Sequence, residues 1–225
     1  NGTIDKKAIS DFISEMNLIS HFNHPNIVKL LGAVLKSPNI CMVLEYAKEG
    51  SVSDYLLSHK SVDWIGYKRQ IALSISKGCN YLHTRDPPVI HRDLKTSNCL
   101  VTEWVQVLVS DFGVSCQYNS DVQLTELVGT KYFIAPEVLR GDPQCLKTDV
   151  FSFGCVLADI GMGGHLRDLY SVNANSGGPT AENLSSFIAK GWRPTLPRMW
   201  TQEIPTIAKL IKKCWNQNPA ERPSF

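Results

Sequence analysis

The stretch Val89 to Val101, VIHRDLKTSNCLV, decides how this chain is read. Its two ends are apolar and partly β-branched, as buried strands are. Its middle packs His91, Arg92, Asp93, Lys95 and Asn98 into eight residues. A loop that is polar for solubility alone rarely needs an imidazole, two cations, a carboxylate and an amide together. The loop is therefore a candidate for chemistry, and the rest of the chain must say which.

The composition bounds the answer. With 225 residues, 43% of them hydrophobic, the chain can bury a sizeable core in one large domain or two small lobes. Its 20% charged residues match folded soluble domains rather than disordered chains. A formal net charge of +2 and no run of like charges give no reason to expect a nucleic-acid partner. Seven cysteines, an odd number without a Cys-x-x-Cys pair, fit reduced thiols in a cytoplasmic protein better than a disulfide frame or a zinc site. No apolar run reaches the length a membrane span needs, and no signal peptide is visible.

Outward from the loop, the pattern divides into a small strand-containing piece and a larger helical one. Residues 5–22 read as an amphipathic helix carrying Ile9, Phe12, Ile13, Met16 and Ile19, with Glu15 on or beside the apolar face. Glu15 is then either a rim carboxylate or an inward one that requires a cation. Strands follow in IVKLLGAVL and ICMVLEY, joined by the turn KSPN. A short helix starts at Gly50–Ser51, a longer one covers 62–83, and short strands near 99–102 and 105–109 flank a turn at Glu103 and Trp104. From Glu137 onward the pattern is mostly helical, and SVNANSGGPT at 171–180 reads as a mobile insert.

Three more stretches join the loop: SDFG at 110–113, GTKYFIAPEV at 129–138 and DVFSFGCVL at 149–157. Each is weak alone; order and spacing make the set specific. Asp93 precedes Asn98 by five, Asp111 by eighteen and Glu137 by forty-four residues. With His-Arg-Asp-Leu-x-x-x-Asn at 91–98, Asp-Phe-Gly at 111–113 and Ala-Pro-Glu at 135–137, the chain resembles the eukaryotic protein kinase family over nearly its whole length. CWNQNPAERPSF and GWRPTLP are similar to the tyrosine-kinase-like (TKL) branch, whose members mostly phosphorylate serine and threonine.

The resemblance implies a two-lobed α+β fold: a truncated N-lobe of one helix and about two strands at 1–44, a hinge at 45–50 and a mainly α-helical C-lobe at 51–225. It implies transfer of phosphate from Mg2+-bound ATP to protein Ser/Thr hydroxyls in signal transduction. The work lies in aiming a hydroxyl and neutralising phosphate charge. Asp93 would orient the hydroxyl and accept its proton, and Lys95 would face the γ-phosphate. Asn98 and Asp111 would hold magnesium, and Glu15 would pair with a strand lysine that touches the α- and β-phosphates. Backbone groups of Glu45 and Ala47 would hydrogen-bond adenine, with Leu44 at the back of the pocket, Leu100 its floor and Asp54 at the ribose. His91 and Phe112 would stack in a core column with Ile19 and Leu30. Asp149 would anchor the catalytic loop, and Arg222 would bridge Glu137 in the core.

Lys95 and Thr130 match the serine/threonine pattern. A tyrosine or dual-specificity kinase, or a pseudokinase scaffold, stands as the alternative. Arg92 is either a structural ion-pair partner or the group that meets a phosphorylated residue; Ser120 or Thr125 is expected to be a regulatory phosphosite, with an upstream activating kinase as a partner the family allows. The chain lacks Gly-x-Gly-x-x-Gly and begins at Asn1 without the strand lysine; both ends read as cut, so the piece as given is expected to be inactive.

Overall fold

The computed structural model describes residues 6–36, 39–59, 63–174 and 178–225. Helix α1, Lys6–Ser20, opens it. Ile19 is fully buried, whereas Ile13, expected on the apolar face, is 38% exposed. The inward stripe therefore runs through Ile9, Phe12, Met16 and Ile19, with Glu15 on its flank.

Strands β1, Leu30–Lys36, and β2, Asn39–Leu44, form an antiparallel ribbon with an irregularity between Leu30 and Gly32. Leu30 lies opposite Leu44, and both pack against the core. The expected first strand begins earlier, at Ile27. In the structure Ile27 instead makes a parallel bridge to Val109, because Asn26 and Val28 use their backbone groups on that residue. The chain then crosses to the larger piece through 45–50. Glu49 N–H donates to Val101 O, and Val101 N–H donates back to Gly50 O.

Helix α2, Val52–Ser58, is capped by the Ser51 side chain, which accepts from Asp54 N–H. Helix α3, Tyr67–His83, buries Ile71, Ile75 and Leu82 completely. Each such side chain contributes roughly 1.5–3 kcal/mol to folding. The expected start at 62 lies outside the described residues. The delayed start has a local cause: Asp63 Oδ1 accepts from Gly66 N–H at 2.7 Å, closing a turn that competes with helix.

Two further two-stranded pairs complete the sheet structure among the described residues. Strand β3, Val89–Ile90, pairs with β6, Cys116–Gln117. Strand β4, Cys99–Val101, pairs with β5, Val107–Val109, in the register Cys99↔Val109. Helix α4, Pro136–Arg140, leads to α5, Lys147–Gly161, which is buried from Thr148 to Ile160 and forms the axis of the helical piece. Helices α6, Leu166–Ala174, α7, Leu184–Ala189, α8, Arg198–Glu203, and α9, Pro205–Cys214, surround it. Residues 171–174 of the expected mobile insert are thus helical, and 175–177 lie outside the described residues.

The fold is α+β, with few strands before residue 50 and mainly helix after it. Among the described residues no helix is long and apolar enough to cross a membrane. All seven cysteines are free. Cys41 is exposed despite its apolar neighbours, while burial pushes the Cys99, Cys155 and Cys214 thiols up to about 12.

Candidate active site

The loop after β3 hangs from one buried carboxylate. Asp149 in α5 is fully buried and accepts His91 N–H at 2.8 Å on Oδ2 and Arg92 N–H at 2.9 Å on Oδ1. His83 Nε2 lies 2.8 Å from Oδ2. Burial pushes the Asp149 carboxyl up, but the hydrogen bond and charge of His83 outweigh it and leave the group below its ordinary value. The His91 ring is buried and donates from Nε2 to Ser110 O at 2.9 Å. Its Nδ1 receives Asp93 N–H at 3.3 Å, which fixes the neutral tautomer protonated on Nε2. The ring lies 5.2 Å from Phe112. Ile19 and Leu30 belong to the same core. Phe22, which the sequence reading missed, packs its ring 5.0 Å from Phe112.

This anchoring aims Asp93 outward. Its Oδ2 receives Lys95 Nζ at 2.7 Å and Asn98 Nδ2 at 3.2 Å, and its Oδ1 receives Thr130 Oγ1 at 2.7 Å. Lys95 Nζ also donates to Thr130 Oγ1 at 2.6 Å, closing a triangle of carboxylate, ammonium and hydroxyl. A carboxylate offers about four acceptor sites, so three donors leave Asp93 with room for one more. Thr130 reaches the loop because Gly129, at φ +113°, lies where an added Cβ would stand 3.0 Å from Arg92 O. Arg92 and Asp111 hold φ of 69° and 62°, left-handed conformations that cost energy and concentrate at functional sites.

Asn98 and Asp111 occupy one end of the β4–β5 pair. Ser110 N–H and Oγ both donate to Asn98 O at 2.9 Å, which places Asp111 one residue past that junction. The Asn98 amide gives Nδ2 to Asp93 O at 3.0 Å, leaving Oδ1 as the acceptor these bonds do not use. Glu15 comes to the same corner: a Cβ on Gly113 would lie 3.5 Å from both Glu15 Oε2 and Asp111 Oδ1. Burial and then the charge of Asp111 raise the Glu15 carboxyl, while the Phe112 N–H opposes them. Among the described residues Glu15 faces an acid and a backbone amide rather than a cation.

The linking segment carries the remaining candidates. Glu45 N–H is spent on Lys29 O at 2.9 Å and Ala47 O accepts from Gly50 N–H at 3.3 Å. The Glu45 carbonyl and the Ala47 N–H take no part in these bonds. Leu44 and Leu100 are half-buried beside the segment, with Ser51 bridged to Leu100. Asp54 is exposed and its Oδ2 accepts from Ser51 Oγ at 2.6 Å, so its first duty is the α2 cap. The structure thus gathers Asp93, Lys95, Asn98 and Thr130 directly, sets Asp111 and Glu15 together, and leaves Leu44, Glu45, Ala47, Asp54 and Leu100 as a strip along the link.

Among the described residues no three His, Cys, Asp or Glu side chains are arranged to hold a metal ion. The oxygen donors that remain, the Asp111 carboxylate and Asn98 Oδ1, suit a hard cation whose other ligands come from phosphate and water.

Comparison with known proteins agrees with this geometry. The family model described as "Protein kinase domain" matches residues 2–225. "Serine/threonine-protein kinase STY17" of Arabidopsis thaliana is 36% identical over 222 residues, covering 99% of this chain and 37% of that protein. "Probable serine/threonine-protein kinase drkC" of Dictyostelium discoideum is 38% identical over 227 residues, covering 98% and 28%. "Serine/threonine-protein kinase CTR1" of Arabidopsis thaliana is 36% identical over 224 residues, covering 97% and 26%. The chain spans roughly a quarter to two fifths of the length of these curated relatives.

Proposed function

The chain belongs to the protein kinase domain family, and on that premise we propose that the whole protein transfers the γ-phosphoryl group of ATP to serine and threonine hydroxyls of protein substrates, as a member of the tyrosine-kinase-like branch. The observation that carries this reading is the Asp93–Lys95–Thr130 triangle, held at 2.6–2.7 Å on each side. It keeps a base, a cation and a satisfied threonine in register before any substrate arrives, which removes an orientational cost from the reaction.

Phosphoryl transfer asks the protein mostly for position and charge. Asp93 takes the incoming hydroxyl at its remaining acceptor site and receives its proton as the new O–P bond forms and the bond from the γ-phosphorus to the bridging oxygen breaks, releasing ADP. Lys95 holds the Asp93 side chain in place and puts positive charge beside the migrating group. Asn98 and Asp111 would hold Mg2+, which when bound supplies charge neutralisation for the nucleotide phosphates. The Glu45 carbonyl and Ala47 N–H offer the acceptor and donor that an adenine edge requires, with Leu44 and Leu100 against its faces and Asp54 toward the ribose. Glu15 would receive a phosphate-binding lysine. The proposed division is a small lobe at 1–44, a link at 45–50 and a large lobe at 51–225, working in the cytoplasm, a reducing compartment that suits the free thiols.

The test is phosphate transfer by the full-length protein to a protein substrate, with phosphoamino-acid analysis. Phosphoserine and phosphothreonine are expected. Asp93→Asn should lower kcat about 100-fold or more while leaving the melting temperature in place. Product carried mainly on tyrosine, or Asp93→Asn retaining more than about a tenth of the activity, would overturn the assignment.

A further inference from the structure

Arg92 stands next to Asp93, and its side chain is only 6% exposed. A guanidinium that buried requires an anion. The ion-pair partner it has is Glu126, whose Oε2 accepts from Nη2 at 2.9 Å. Nη1 points to Cys116 Sγ at 3.9 Å, and Nε–H has no partner. Glu126 lies in the segment between Gly113 and Ala135, thirty-four residues along the chain from Arg92.

Its side chain is 74% exposed, so burial does not set its place. The backbone does. Gln144, 3% exposed, donates Nε2–H to Glu126 O at 2.7 Å, and its own N–H donates to Leu124 O at 2.9 Å. Residues 124–126 are thereby held from the α4–α5 side while the Glu126 carboxylate grips the catalytic loop. Arg92 accordingly depresses the Glu126 carboxyl, first through the hydrogen bond and then through its charge, and Lys7 of α1 adds to the effect. Three and four residues further on, Gly129 and Thr130 seat against Arg92 O and Asp93.

We propose that Glu126 is a positioning residue: it supplies, from the chain itself, the negative charge that Arg92 needs, and so orders the segment that presents Thr130 to Asp93 without a phosphate on Ser120 or Thr125. The proposal rests on the phosphotransferase reading given above. It also revises the sequence-based expectation for those two residues. Both are exposed, Ser120 Oγ is turned to Asp121 at 3.5 Å, and the arginine that a phosphate would meet is already engaged.

The experiment uses full-length protein treated with phosphatase and checked by intact mass. The dephosphorylated protein and the Ser120→Ala/Thr125→Ala double variant should keep kcat within about twofold of the untreated wild type. Glu126→Gln should lower kcat about tenfold, a size typical of a coupled ordering step, with the KM for ATP unchanged. Glu126→Asp, which keeps the charge, should recover part of the loss. Hydrogen exchange over residues 118–130 should quicken in Glu126→Gln alone. Loss of activity on dephosphorylation, or wild-type kcat and exchange in Glu126→Gln, would overturn the proposal. If the wild type transfers no phosphate, the functional reading fails instead, and the exchange comparison still decides whether Glu126 orders the segment.

Discussion

Two arginine–glutamate pairs hold the segment between Asp111 and Glu137, and they are built on opposite plans. Glu137 closes the segment and meets Arg222 through two parallel bonds of 2.7 Å, with side-chain exposures of 2% and 0%. Thr148 Oγ1 adds a bond to Glu137, Arg222 donates to Asn216 O and Lys147 O, and the guanidinium lies 5.1 Å from the Phe151 ring. Glu126 meets Arg92 through one bond, with its own side chain mostly in solvent. The first pair has every donor answered and no path for water. The second leaves Arg92 Nε unanswered and reaches solvent on its Glu126 side. One is a permanent fastening, the other a contact that a few kT can break and remake.

The largest effect should therefore fall on the buried pair. Glu137→Gln leaves Arg222 charged in the core and is expected to cost about 3–5 kcal/mol, the usual penalty for stranding a buried ion. For a domain of this size that lowers Tm by about 10 °C. Glu126→Gln also leaves a buried guanidinium without its carboxylate, but through a single bond to an exposed side chain, so it should cost less, about 1–2 kcal/mol, and move Tm by about 3–5 °C. Thermal unfolding of the two variants side by side checks both. Equal losses would erase the distinction between the pairs.

Between the two fastenings lies Gly129, whose φ of +113° and 3.0 Å approach to Arg92 O admit no side chain. Gly129→Ala forces strain of about 1–3 kcal/mol, an intermediate loss of stability. Its effect on kcat should be larger than the Tm shift implies, since Thr130 is displaced from Asp93. A variant that loses stability but keeps kcat would show that the segment is placed by its two glutamates alone.

These contacts differ in how readable they were. Asp93, Lys95, Asn98 and Asp111 could be found because the chemistry proposed for them demands particular residue types at short spacings within two stretches. The Arg222–Glu137 pair followed from the resemblance to a known family, across eighty-five residues. Glu126 was invisible: LTELVG has no periodicity, and its partner is fixed only once β3 and the segment come together. Phe22 falls at the end of the helix read over 5–22 and is not singled out, because nothing local shows that the chain turns there to lay its ring on Phe112. The α3 start was misread for a purely local reason, the Asp63 side chain competing for a backbone amide.

Glu15 completes the comparison as a third glutamate at this segment, one that meets no cation among the described residues. Its carboxyl is raised by burial and by the charge of Asp111, so the folded state holds its proton more tightly than the unfolded chain does. The stabilisation that this represents is full at low pH and is lost as pH rises through the folded value, so ionised Glu15 opposes folding of the 225-residue chain near neutrality. The group is half-exposed, and solvent screening keeps the effect below about 1 kcal/mol. Glu15→Gln should then raise Tm of this chain by about 1–2 °C at pH 7, and the difference should vanish at about pH 3, below the ordinary carboxyl value, where the wild-type group is protonated in both states. Thermal unfolding across that range checks the sign. In the full-length protein the same substitution should lower activity, because a stabilising charge for a phosphate-binding lysine is removed. A Tm that falls at pH 7 would mean that Glu15 already has a cation in this chain, and would move it from the unpaired class to that of Glu126.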